Sequence, residues 1–132
     1  MENLAAHPAA RAVVSYLRTM ERRDLPAAKA CLAPTFAMHF PGTPPMSRLE
    51  DLVGWATRRF RCCTKVYEGF DVATGEGGAT VVFARGTLVG ERLDGTAFAD
   101  IRFLDRFTIG EDGLFLRQDV WNDLAEYGIV PS

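Results

Sequence analysis

The stretch TAFADIRFLDRFTIGEDGLFLRQDVWN, residues 96–122, decides how this chain is read. It reads as two long strands joined by a tight turn at Asp112-Gly113, where glycine supplies the positive φ that a hairpin turn needs. On the first strand Ala97, Ala99, Ile101, Phe103, Asp105, Phe107 and Ile109 alternate onto one face. Asp105 therefore stands among apolar neighbours. A carboxyl on a core-facing position is costly unless it is paired, protonated or used in chemistry. The other face, Phe98, Asp100, Arg102, Leu104, Arg106 and Thr108, is largely polar and solvent-like.

Upstream of this stretch the pattern stays strand-like. Asp94-Gly95 is a second hairpin signal. Residues 79–92 form a long strand with Val81, Phe83, Arg85, Thr87 and Val89 on one face. Residues 75–78 are a turn, and from Thr64 a further strand carries Val66, Phe70 and Val72, with Tyr67 on its other face. Downstream, residues 114–121 close the sheet, with Gln118, Val120 and Asn122 sharing a face, and residues 123–127 form a last helical turn before Gly128.

The N-terminal half is helical. Residues 8–22 place Val13, Tyr16, Leu17 and Met20 on one stripe, and Pro8 suits the first turn. Asp24 caps a second helix over 25–32, which Pro34 stops. Residues 35–40 are a short strand or hook, followed by the stiff loop Pro41-Gly42-Thr43-Pro44-Pro45. Ser47-Arg48-Leu49-Glu50 matches a capping box, opening a helix with Leu49, Leu52, Val53, Ala56 and Phe60 on one face. Trp55 lies off the centre of that stripe, at a cavity rim or half exposed.

Helices grouped before hairpin-linked strands give an α+β fold: three N-terminal helices packed on one face of a mostly antiparallel sheet. Mid-strand Gly69, Gly86 and Gly90 predict strong curvature. A curved sheet closed by helices is cone-shaped and leaves a cavity suited to small molecules. The length and the lack of a linker or repeat predict a single domain over 1–132.

Composition excludes several function classes. Hydrophobic residues make up 48% of the chain, as in packed domains. A formal charge of −2 argues against nucleic-acid binding. No apolar run is long enough to cross a bilayer, and the start MENLAAHPAAR lacks the pattern of a signal peptide. Cys31, Cys62 and Cys63 form neither a disulfide framework nor, with the distant His7 and His39, a metal motif, so reduced thiols in the cytoplasm are expected.

Three segments carry a resemblance: YLRTMERRDL from Tyr16, the hook FAMHFPGTPP, and LDRFTIGEDGLF from Leu104. Together they resemble the SnoaL-like and ketosteroid-isomerase-like superfamily, whose cystatin-like cone is that of nuclear transport factor 2. The resemblance implies cofactor-free chemistry on a small apolar or carbonyl-bearing ligand, and a homodimer paired through the outer sheet face. It places Tyr16 and Asp105 at the two donors of an oxyanion hole, in which the acid is kept neutral by an apolar site. The hook's carboxylate base falls at Phe40, with His39 beside it as the alternative base. The related limonene-epoxide hydrolases use an Asp–Arg–Asp set. Arg85 matches its arginine, but Thr87 and Val120 stand at the acidic positions, which disfavours epoxide hydrolysis.

Two roles thus stand open for Asp105: a neutral donor beside Tyr16, or a carboxylate paired with Arg85 across the sheet. Arg85 could instead anchor a ligand oxygen through its planar donor fork. Gln118 and Asn122 would orient a substrate, and Phe40, Trp55, Phe103, Thr87 and Val120 would line its site. The two functions that follow are an isomerase, cyclase or lyase, and a non-catalytic ligand-binding or dimerisation module.

Overall fold

The computed structural model describes residues 6–132, so the first five residues of the N-terminal stretch read above lie outside it. Helix α1 (Pro8–Glu21) follows the predicted stripe, burying Val13, Tyr16, Leu17 and Met20. Its cap is His7, whose Nδ1 accepts the Ala9 N–H at 3.0 Å. Helix α2 (Leu25–Lys29) starts from the Asp24 cap but is shorter than expected. Its chain leaves early because Cys31 O accepts from Phe115 N at 2.9 Å and Leu32 pairs with Phe115. Strand β1 (Leu32–His39) thus replaces both the helix end and the short hook. It lies at the sheet edge, where Pro34 is tolerated.

Helix α3 (Leu49–Thr57) is capped by Arg48 and not by Ser47, and no side chain caps it. Reciprocal Met38–Met46 backbone bonds of 2.7 and 2.8 Å hold the chain extended up to that point, which delays the helix. The helix also stops before Phe60, which opens β2 (Phe60–Thr74) four residues ahead of the expected Thr64. Strands β3 (Thr80–Arg92), β4 (Ala97–Ile109) and β5 (Phe115–Asn122) follow, with a closing 3-10 turn at Leu124–Tyr127. Both Asp-Gly turns form as read: Gly95 has φ 91° and Gly113 φ 83°, and the Asp94 and Asp112 side chains accept from Thr96 N and Leu114 N.

The five strands run in the order β1-β5-β4-β3-β2. Among the described residues only the β1–β5 pair is parallel. Bulges between Tyr67 and Gly69 and between Leu88 and Gly90 bend the long strands. Gly86 is required there, since a Cβ would lie 1.9 Å from the Val66 carbonyl oxygen. Among the described residues these are three helices on a curved, open α+β sheet, the expected cone. Among the described residues no helix is long and apolar enough to cross a membrane.

Three face assignments differ from expectation, and on β2 and β4 an extra residue is the cause. On β2, Tyr67 is buried and Val66 exposed, so Tyr67 faces inward with Phe70 and Val72. On β3, Val82, Ala84 and Leu88 face the core, which puts Arg85, Thr87 and Val89 on the outside. On β4, Asp100 adopts φ 62°, and the alternation slips there. Phe98 is consequently core, while Ala97 and Ala99 are exposed. From Ile101 to Ile109 the predicted inward face holds.

Candidate functional site

The inner face of the cone encloses a cavity of about 90 Å³. Helix α1 contributes Tyr16, β4 contributes Phe103 and Asp105, and β5 contributes Gln118, Val120 and Asn122. Phe40 and Trp55 close its rim with ring centroids 5.0 Å apart, and Arg59 covers Trp55 at 4.2 Å. Cys63 and Lys65, alternating inward along β2, complete one wall.

Asp105 is fully buried. Its Oδ2 accepts from Gln118 Nε2 at 3.4 Å and lies 3.7 Å from Lys65 Nζ. Burial pushes its carboxyl well above the usual range, opposed mainly by the Lys65 charge. Tyr16 packs edge-on against Phe107 and Phe115, at 5.9 and 5.2 Å, which fixes its ring from two strands. Burial raises its phenol too, helped by the nearby Cys31 and Asp105. The hydroxyl therefore stays a neutral donor.

The polar atoms in this apolar shell are under-used. Tyr16 Oη, Asp105 Oδ1 and Gln118 Oε1 have no hydrogen-bond partner among the described residues. Each such buried atom costs about 1–3 kcal/mol. Three orphans around one space describe a site shaped for a polar ligand atom.

The predicted site residues line two adjoining pockets, with Phe40, Phe103, Val120 and Asn122 bordering both. Tyr16, Phe40, Trp55, Phe103, Asp105, Gln118, Val120 and Asn122 all meet at the inner cavity. His39 does not; it pairs with Asp119 in the β1–β5 register and lines an outer groove of about 860 Å³. Alternation allows only one of His39 and Phe40 to face inward, and Phe40 does. Arg85 is not the partner of Asp105. Asp105 pairs with Ala84, so Arg85, one residue on, points to the opposite face and sits 3.9 Å from Glu68. Thr87 shares that outer face.

Sequence reasoning gives Lys65 no role at the site, although its ammonium lies 3.7 Å from the Asp105 carboxyl. Its signal was the alternation Cys63, Lys65, Tyr67, which a strand starting at Phe60 would have exposed. The outer groove is larger than the cavity, but its charges are already engaged. Arg102 binds Asp123 at 2.8 Å, and Arg117 holds Asp119 at 2.9 and 3.0 Å. The inner cavity is therefore the better candidate.

Known structures match this architecture along nearly its whole length. A nuclear-transport-factor-2-like protein from Burkholderia pseudomallei superposes with TM-score 0.75 at 16% identity, over 94% of this chain and 98% of the other. TerC, crystallised with polyporic acid, gives 0.71 at 14% identity, over 92% and 96%. A putative polyketide cyclase from Pseudomonas putida gives 0.67 at 16%, over 95% and 99%. No curated protein sequence matches significantly. The profile of the SnoaL-like domain matches residues 13–118, and the chain belongs to that family.

Proposed function

We propose that this chain binds a small carbonyl compound in its inner cavity and acts on it without a cofactor, as an isomerase, cyclase or lyase. One observation carries the reading: Tyr16 and Asp105, both buried and both with an orphaned oxygen, line the same apolar cavity. Tyr16 donates its O–H to the ligand's carbonyl oxygen. Asp105, protonated, donates a second hydrogen bond. Charge that develops on that oxygen, as solvent hydroxide takes the proton of a neighbouring carbon and becomes water, is then met by two preorganised donors. Gln118 fixes the acid from behind, and Asn122 and Phe103 set the ligand's orientation.

The similarity to a putative polyketide cyclase and to a protein crystallised with polyporic acid supports a ligand with conjugated carbonyl or enol oxygens. The cavity is smaller than the roughly 300–1,000 Å³ of drug-sized sites. A compact ligand fits it directly, and a larger one must part the Phe40–Trp55 rim.

The test is hydrogen–deuterium exchange at the α-carbon of small enolisable ketones. Exchange that Tyr16→Phe and Asp105→Asn both abolish supports the enzyme. Binding without exchange supports the second reading, a non-catalytic ligand-binding module. That reading has its own observation: Phe40, which cannot accept a proton, occupies the hook position at the cavity, and His39 faces away. A homodimer through the outer sheet face belongs to the proposal, with exposed Val66, Val89 and Trp121 at the interface. So does a cytoplasmic setting, which the free thiols of Cys31, Cys62 and Cys63 suit.

A further inference from the structure

Lys65 is built into the inner cavity with unusual care. Its N–H donates to Glu21 Oε2 at 3.1 Å, and its carbonyl accepts from Arg18 Nη1 at 3.2 Å. The last turn of α1 thus clamps the main chain of this one β2 residue from both sides. The side chain then runs inward, only 19% exposed, with Nζ 5.2 Å from the Phe103 ring centroid.

Its charge is poorly balanced. Asp105 stands 3.7 Å away, beyond the usual length of a direct N–H···O bond, and is driven toward its neutral form by burial. Glu21 is held by Arg18 at 2.9 and 3.1 Å. Arg23 adds a second cation to the cavity lining, and the Cys63 thiol is pushed up to about 11 by burial, so it stays neutral. A lysine offers donors only. With the Tyr16 hydroxyl it presents donors to the same space, and a part-buried cation whose nearest carboxyl lies 3.7 Å away favours an anionic ligand.

We propose that the cavity selects ligands with an acidic oxygen, of the enolate or phenolate class, and that Lys65 is the residue that holds their negative charge. This rests on the inner cavity being the ligand site, with Tyr16 as a donor, and adds to it the charge state of the ligand. Such a compound binds as its anion, so the pocket discriminates between an acidic enol or phenol and its neutral ether.

The probes are 4-nitrophenol and the neutral isostere 4-nitroanisole, titrated by absorbance into the wild type, Lys65→Met, Lys65→Arg and Tyr16→Phe. The expected result is that wild type binds 4-nitrophenol as its phenolate, visible as growth of the phenolate band at fixed pH. It should bind it about tenfold or more tighter than the ether, the scale of a charge-assisted hydrogen bond. Lys65→Met should remove that preference, while Lys65→Arg should keep it. If wild type binds the phenol in neutral form, or binds phenol and ether equally, the role of Lys65 is overturned, whatever the variants do. If Tyr16→Phe still weakens both ligands in that case, the ligand site itself survives. If wild type binds neither probe, or Tyr16→Phe changes nothing, the site reading falls with it.

Discussion

Replacing Asp105 by Asn separates a neutral buried acid from an ionised one. The carboxyl is fully buried, 3.7 Å from Lys65 Nζ, and carries an upward-shifted pKa. At an effective dielectric of 20, a charge pair at that distance gains about 4 kcal/mol. Desolvating a carboxylate costs several kcal/mol, and here desolvation is the larger effect. The folded acid therefore holds its proton to higher pH than the unfolded one. Wild-type stability from this site is complete below the unfolded pKa and is lost as pH rises through the folded pKa. The loss runs at up to about 1.4 kcal/mol per pH unit inside that window. For a chain of this length about 3–5 °C accompanies each kcal/mol, so roughly 5 °C per pH unit is at stake. Asn keeps the shape and the bond to Gln118 but cannot ionise. Melting curves of both proteins from acid to neutral pH should show Asp105→Asn gaining on wild type as pH rises. Shifts at exposed acids such as Glu50 and Asp94 cancel in that difference. The reasoning is refuted if Asn loses about 3–5 kcal/mol at neutral pH and recovers in acid, the signature of a broken buried ion pair.

Tyr16→Phe should raise stability by about 1 kcal/mol, because it deletes a buried hydroxyl without a protein partner. The same change should cut any turnover by roughly two to three orders of magnitude, read by kcat against a thermal melt. Gly86→Ala should lower stability by at least about 1–3 kcal/mol in denaturant unfolding, since its Cβ would meet the Val66 carbonyl oxygen at 1.9 Å. Arg85→Ala should leave inner-cavity binding unchanged and stability within about 0.5 kcal/mol, because its side chain is exposed on the far face. Iodoacetamide near neutral pH should label exposed Cys62 well before Cys63, whose thiol burial pushes up to about 11, as mass mapping would show.

The hairpins were legible because their signals are local. Asp94-Gly95 and Asp112-Gly113 state their turns in two residues each, and the inward run from Ile101 to Ile109 has clean alternation. That run alone singled out Asp105. What period two cannot register is an extra residue. The bulge at Tyr67–Gly69 and the slip at Asp100 each exchange inside for outside along part of a strand. The bulge on β2 hides that Lys65 shares the inner face with Tyr67, whereas β3 alternates regularly from Val82 to Leu88 and only the packing shows that Arg85 and Thr87 lie on its outer face. The parallel β1–β5 pairing was hidden differently. It joins residues about eighty apart in sequence, such as His39 and Asp119, and draws the chain out of helix α2 before Pro34. Tyr16 and Asp105 meet only through such distant pairings. Family resemblance suggested that meeting, and the register of β4 with β3 and β5 explains it.

The most direct measurement is a crystal structure of the protein soaked with phenol, the smallest ligand carrying the proposed oxygen. Its oxygen should lie within about 2.5–3.0 Å of Tyr16 Oη and of a carboxyl oxygen of Asp105, with the ring against Phe103 and Trp55. Phenol found instead in the outer groove beside Arg85 and Trp121, or bound inside with its oxygen turned away from both donors, would contradict the account.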